Sequence, residues 1–356
     1  MDLFRRSIEV ILEGQAPSGA YVACPNFPTY HYSWFRDGAF IAYAMDRAGE
    51  HASAARFHAW AAQCILAREE IVKRGVVRAH AGRPLGKEDI LHTRYTADGQ
   101  DGIKDEWPNF QLDGFGTWLW ALREHAGLTQ NPLPTDWVNA AALAADYLAA
   151  LWQLPCFDCW EEFPAHIHTY TLAAIFGGLQ AQAALNGNGH ADTQEAIKRF
   201  VLANAVSDGH FVKAVGREDV DASLIGLAVP YRLVELDDVR MLKTVAAIEA
   251  TLGRGGGVHR YATDTYYGGG EWVQLTAWLG WYWAETGQTD KACRLLEWVE
   301  AQADANGYLP EQVPVDLNDP SYYEPWRQRW GIIATPLLWS HAKYLILKSV
   351  LSRSGS

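Results

Sequence analysis

Apolar residues recur at i, i+3, i+4 and i+7 in segment after segment of this 356-residue chain, and the period-2 alternation of a strand is almost nowhere convincing. That periodicity predicts twelve helices, over residues 3–13, 37–48, 51–73, 113–126, 136–153, 168–185, 190–204, 221–230, 237–252, 271–286, 289–304 and 337–352. Gly49, Gly127 and Gly287 each follow a helical run, where a left-handed residue closes a helix, and Asp136 after Pro134 is placed to cap the next one. Twelve helices pair into six hairpins, and 49% hydrophobic residues suffice for one large core. The expected fold class is all-α, a toroid of helical hairpins forming a single domain over residues 1–356, since no low-complexity linker or charge run divides the chain.

Charge and segment character exclude several kinds of partner. A formal net charge of −12, spread along the chain, disfavours nucleic acid, whose phosphates require a basic surface. No stretch approaches the ~18 apolar residues of a membrane span, and the N-terminal MDLFRRSIEVILEGQ lacks the apolar run of a signal peptide, so no membrane partner is expected and a cytoplasmic location is. The five cysteines are scattered, and the one CxxC, Cys156 and Cys159, has no second pair to complete a zinc set. Reduced thiols are expected, with no cofactor and no metal. Oligomeric state is not legible.

Between the helices lie long stretches, 15–36, 74–112, 154–167, 205–219, 254–270 and 305–336, and long loops in a helical domain are where function resides. Five of these regions carry polar groups set among aromatics, in a chain that has 16 Trp and 16 Tyr. Flat apolar faces beside hydrogen-bonding edges suit a sugar ring. Tyr30 through Asp37 places Trp34, Arg36 and Asp37 at a helix start, and Asp105 through Gly114 surrounds Trp107 and Gln111 with polar groups. Trp160-Glu161-Glu162 sets two adjacent carboxyls beside an aromatic, where repulsion and desolvation raise a pKa toward the range of a general acid. Arg260, Tyr266 and Trp272 flank Gly268-Gly269-Gly270, a run that permits a tight turn or close backbone approach. Glu311, between Pro310 and Gln312, is a second candidate carboxylate, and Trp339 follows at the start of the last helix. Taken singly, each cluster also reads as a helix cap or solvated surface.

Together the clusters resemble glycoside hydrolase family 15, the glucoamylases, glucodextranases and related bacterial enzymes. The Trp-x-Arg-Asp string Trp34 to Asp37, the Trp-x5-Asp-Gly string Trp107 to Gly114, Trp160-Glu161-Glu162, Arg260 to Trp272 and Trp339-Ser340-His341-Ala342 carry the likeness. The resemblance implies an (α/α)6 barrel, Glu161 as general acid and Glu311 as general base. It implies a glucose pocket formed by Tyr30, Trp34, Arg36, Asp37, Trp107, Gln111, Trp160, Glu162, Arg260, Tyr266, Trp272 and Trp339. Neither the β-sandwich domain that precedes the barrel in many bacterial members nor a starch-binding module is found here, which directs the expectation to short oligosaccharides, α-1,6-linked isomaltose first.

The expected function is therefore an inverting, exo-acting α-glucoside hydrolase, with glucoamylase- or trehalase-type specificity as the alternatives. A carbohydrate-binding protein without catalysis is a rival that retention of both glutamates opposes. A terpenoid cyclase is a second, opposed by the lack of a DDxxD or DxDD string.

Overall fold

Helices in this chain alternate between an inner and an outer layer. The computed structural model describes residues 2–103, 107–187 and 190–354. Among them run α1 (Leu3–Glu13), α2 (Phe35–Arg47), α3 (His51–Leu66), α4 (Glu69–His80), α5 (Asp113–Thr129), α6 (Thr135–Leu151) and α7 (Thr169–Asn186). They are followed by α8 (Ala191–Asn204), α9 (Val239–Thr251), α10 (Val273–Glu285), α11 (Thr289–Ala301), α12 (Tyr323–Trp330) and α13 (Leu338–Ser354). The inner ring closes on itself: α2 packs on α5, α5 on α7, α7 on the 3-10 segment Ala222–Leu227, that segment on α10, α10 on α13, and α13 back on α2. Outside it, α1 packs on α13, α3 on α2, α6 on α5, α8 on α7, α9 on the 3-10 segment and α11 on α10.

Burial follows the layers. An inner helix is covered on every side and needs no polar face, so α2 is buried from Phe35 to Asp46 and α10 from Val273 to Tyr282. The outer α11 buries only Ala292, Leu296 and Val299, a single stripe. Two glycines set the closest approach in the ring. A Cβ on Gly116 of α5 would stand 2.3 Å from the Ala174 carbonyl oxygen of α7, and one on Gly178 would stand 2.7 Å from the Gly116 Cα. No larger residue fits that crossing.

The twelve expected helices map onto the two layers, with local corrections. The run 51–73 breaks at Arg68, whose guanidinium donates to the Cys64 carbonyl and, 2.7 Å away, to Asp101. That anchor turns the chain, and Glu69 and Glu70 then start α4, which extends into the stretch read as loop from residue 74. Residues 221–230 form a tighter 3-10 segment ending at Leu227 instead of an α-helix, because Asp221 caps its start and Pro230, which has no N–H, closes off continuation. Gly49 and Gly287 take the left-handed conformation after α2 and α10, whereas α5 runs through Gly127 and ends at Gln130, φ 54°. Asp136 lies within the first turn of α6 and makes no cap hydrogen bond. α12 was not expected.

Strand is confined to three two-residue ladders among the described residues. Ser33–Trp34 (β1) pairs antiparallel with Arg94–Tyr95 (β2), Val206–Ser207 (β3) with His210–Phe211 (β4), and Glu271–Trp272 (β5) with Gln312–Val313 (β6). β1 and β5 lead directly into the inner helices α2 and α10, so the first and third ladders fix how these helices begin.

Candidate active site

The N-terminal ends of α2, α10 and α13 and the loops beside them line a cavity of about 660 Å³, the size that encloses a small ligand. Glu161 and Glu311, 150 residues apart in sequence, both line it. So do Tyr30, Trp34, Arg36, Asp37, Trp107, Trp160, Glu162, Arg260, Tyr266, Trp272 and Trp339. Gln111 alone of the sequence-derived set does not. It lies behind Arg36, accepting from its Nη1 at 3.1 Å and donating to the Asp158 carbonyl at 3.0 Å. Asp105 and Glu106 lie outside the described residues.

Glu161 sits in a turn that the sequence makes unusually tight. Its φ is 67° and that of Phe163 is 52°, a region costly for residues other than glycine. The turn is held by Asp158, whose Oδ1 accepts from the amides of Trp160 at 3.0 Å and Glu162 at 2.8 Å. Behind it, buried Lys213 bridges Asp158, at 3.2 Å, and Asp221, at 2.5 Å, and Asp221 in turn accepts from the Trp160 indole at 2.9 Å. The Glu161 carboxylate accepts from the Trp34 indole at 2.6 Å and lies 4.0 Å from Arg36. Burial raises its pKa to about 7 against the opposing pull of Arg36 and Trp34.

Glu311 is held from both sides by backbone. Its amide donates to the Ala334 carbonyl at 2.9 Å, and its carbonyl accepts from Val273 at 3.1 Å, at the start of α10. The neighbouring Gln312 pairs with Trp272 in the β5–β6 ladder, accepts from Gly270 at 3.0 Å and donates to the Tyr266 carbonyl at 3.1 Å. The glycine run has its use here: a Cβ on Gly270 would stand 2.2 Å from the Val313 carbonyl oxygen. Burial lifts the Glu311 pKa to about 8, opposed by Arg260 and the Tyr30 hydroxyl.

In the same cavity, polar groups converge with hydrogen-bonding capacity unspent. Glu311 Oε2, Asp37 Oδ2, Gln274 Nε2 and the indole nitrogens of Trp107, Trp272 and Trp339 are buried with no hydrogen-bond partner among the described residues, Asp37 Oδ2 meeting only the Arg36 guanidinium at 3.5 Å, and all six residues line the cavity. Buried polar groups are ordinarily satisfied, so this concentration suits a polyhydroxylated ligand. Arg36 is fixed by Asp113 at 3.2 Å, and its guanidinium lies 5.4 Å above the Trp339 ring. Asp264 holds Arg260 through two bonds, at 2.7 and 2.5 Å, and the Trp272 ring lies 4.7 Å from that guanidinium.

The model of glycosyl hydrolases family 15 matches residues 2–348. This chain belongs to that family. It is 45% identical over 358 residues to the isomaltose glucohydrolase of Kribbella flavida, a match that spans 98% of this chain and 92% of the relative. A glycosidase variant solved in complex with glucose superimposes with a TM-score of 0.94 at 44% identity, covering 99% of this chain and 96% of that one. A bacterial glucoamylase complexed with acarbose shares the fold, with a TM-score of 0.76 at 20% identity over 99% of this chain and 55% of that one. The family 15 chain is thus a glycoside hydrolase built on an (α/α)6 barrel.

Sequence reading missed several residues of this family 15 pocket, Gln274 of α10 among them. Trp326, Arg329 and Trp330 of α12 line its rim, and Trp326 stands edge-on to Tyr266 with centroids 5.0 Å apart. Their signal was present: Tyr323, Trp326 and Trp330 recur at i, i+3 and i+7. The eight-residue helix is too short and too charged between those positions to stand out from its loop. Tyr32, Pro28 and Pro108 were also missed, each next to or near a residue that was selected.

Proposed function

We propose that this family 15 hydrolase is an inverting, exo-acting α-glucosidase that releases β-glucose from the non-reducing end of short α-glucosides, with α-1,6-linked isomaltose as its preferred substrate. The observation that carries the reading is that Glu161 and Glu311 enter one aromatic cavity from separate loops of the ring. Glu161, oriented by Trp34, protonates the glycosidic oxygen. Glu311 takes a proton from a water that attacks the opposite face of the sugar, which in an inverting enzyme requires carboxyls roughly 6.5–9.5 Å apart. Asp37 and Arg36 hold hydroxyls of the ring, and Trp339 meets its apolar face.

Positive charge develops on the ring as the bond breaks, and the buried carboxyls and indole faces stabilise it. Exo action is supported by what lies behind Trp339: Phe40 stacks on it at 5.9 Å and Trp278 stands at 6.5 Å, both buried, so the inner ring is filled with aromatics beneath the pocket. The 45% identity to an isomaltose glucohydrolase supports the α-1,6 preference. The whole chain, residues 1–356, serves in this reading as one catalytic unit whose partner is a small oligosaccharide and not nucleic acid. No helix among the described residues is long and apolar enough to cross a membrane, and the five cysteines are free thiols, which supports a cytoplasmic setting.

A panel of isomaltose, maltose, trehalose and isomaltotriose tests the specificity. Isomaltose is expected to show the highest kcat/KM; a preference for maltose or trehalose would overturn the α-1,6 reading, and release of no glucose from any of them would overturn the hydrolase reading.

A further inference from the structure

At the end of the barrel remote from the pocket, three potential metal ligands meet with no part in the chemistry above. Asp46 belongs to the last turn of α2 and His125 to the C-terminal part of α5, while His58 comes from α3. Asp37 of the pocket begins α2, so nine residues, about 14 Å of helix, separate the two ends. One ligating atom from each of Asp46, His58 and His125 lies within 4.8 Å of the other two. All three residues are buried.

Among the described residues, the surroundings leave Asp46 without a lysine or arginine partner and His58 without a hydrogen bond. Asp46 is bonded by imidazoles only, His125 Nδ1 at 2.9 Å and His51 Nδ1 at 2.8 Å, and among the described residues no lysine or arginine forms an ion pair with it. A buried carboxylate is normally compensated by a permanent cation. His58 is wholly buried, and both of its ring nitrogens lack a partner among the described residues. Its ring lies 5.0 Å from His125 and 5.8 Å from Trp137. An imidazole with unengaged ring nitrogens, close to a carboxylate that no described lysine or arginine pairs, offers a metal the ligands it requires.

We propose that Asp46, His58 and His125 bind one divalent transition-metal ion of the zinc class. Two imidazoles and one carboxylate form a zinc-type donor set. Donor atoms no more than 4.8 Å apart leave a point within about 2.8 Å of all three, so side-chain shifts of about 0.6 Å reach the ~2.0–2.2 Å that zinc prefers. His51, bonded to the Asp46 carboxylate, orients it from outside the ligand set. The ion ties α2, α3 and α5 together far from the substrate, so its role is to stabilise the first two hairpins of the barrel and not to take part in hydrolysis.

The test is metal uptake by the whole protein, dialysed against Zn2+ or Co2+ after chelator treatment. One ion per chain is expected, with a melting temperature several degrees above that of the chelated protein. His58→Phe, which keeps an aromatic ring in place, and Asp46→Asn should each lower the bound metal about ten-fold or more while leaving isomaltose hydrolysis unchanged. No uptake by the wild type, or uptake that both variants retain, overturns the proposal. Should either variant fail to fold, the absorption spectrum of the Co2+-loaded wild type decides: imidazole and carboxylate ligation is expected, and a thiolate charge-transfer band would place the ion on cysteine and overturn it.

Discussion

Glu161 and Glu311 both hold their protons far above the ordinary carboxyl range, to about 7 and about 8, because each is taken out of water without a fully compensating cation. The proposed mechanism uses them in opposite states, Glu161 protonated and Glu311 ionised. With one carboxyl needed protonated and the other ionised, kcat/KM is expected to follow a bell centred near neutral pH, whichever carboxyl titrates first. Roles separate by leaving group. Glu161→Gln and Glu311→Gln should each abolish isomaltose turnover in a folded protein, but only Glu161→Gln should retain hydrolysis of α-glucosyl fluoride, whose leaving group needs no proton. Retention by Glu311→Gln instead would exchange the assignments. A stability consequence also follows. A carboxyl whose pKa is raised on folding stabilises the fold below its unfolded value, near 4.5, and loses that contribution as pH rises through about 8. Glu311→Gln is therefore expected to melt higher than the wild type at pH 9, with the difference shrinking toward pH 5, as read by calorimetry. At this scale the sequence was informative wherever a polar residue sat beside an aromatic. Gln111 misled because its string could not reveal that Arg36 stands between it and the cavity.

At the scale of elements, the turn that carries Glu161 depends on Lys213, which no motif marked. Lys213 follows the β3–β4 hairpin, far in sequence from Glu161, yet its ammonium joins Asp158 to Asp221 and so fixes Trp160, Glu162 and the left-handed Glu161 between them. The two carboxylates hold Lys213 charged in spite of its burial. Lys213→Met leaves them buried and uncompensated, at a cost of about 3–5 kcal/mol in stability. It is expected to lower kcat by on the order of ten- to a hundred-fold with a smaller change in KM, and Lys213→Arg should restore part of both. An unchanged kcat in a folded Lys213→Met variant would show that the turn keeps its shape unaided. Long periodic elements were legible because inner helices are apolar all round and outer ones carry a stripe. The departures, at Arg68, at Ala222–Leu227 and in α12, all occur where a tertiary anchor, a proline or a short length outweighs periodicity.

For the whole molecule, closure of the ring is what brings two glutamates 150 residues apart to one cavity, and neither local sequence nor spacing could supply that. Closure relies on the glycine contact of α5 with α7. Gly116→Ala, harmless in an isolated helix, sets a methyl against a backbone carbonyl and is expected to cost about 1–3 kcal/mol, read as a lowered denaturant midpoint. The barrel then presents both carboxyls to one cavity, and the proposed mechanism requires them to act from opposite faces of the sugar. The anomer of the glucose first released from isomaltose, followed by NMR before mutarotation, tests this most directly. β-Glucose is expected; α-glucose would mean attack from the same face as departure and would contradict the assignment of Glu311 as a base that activates water.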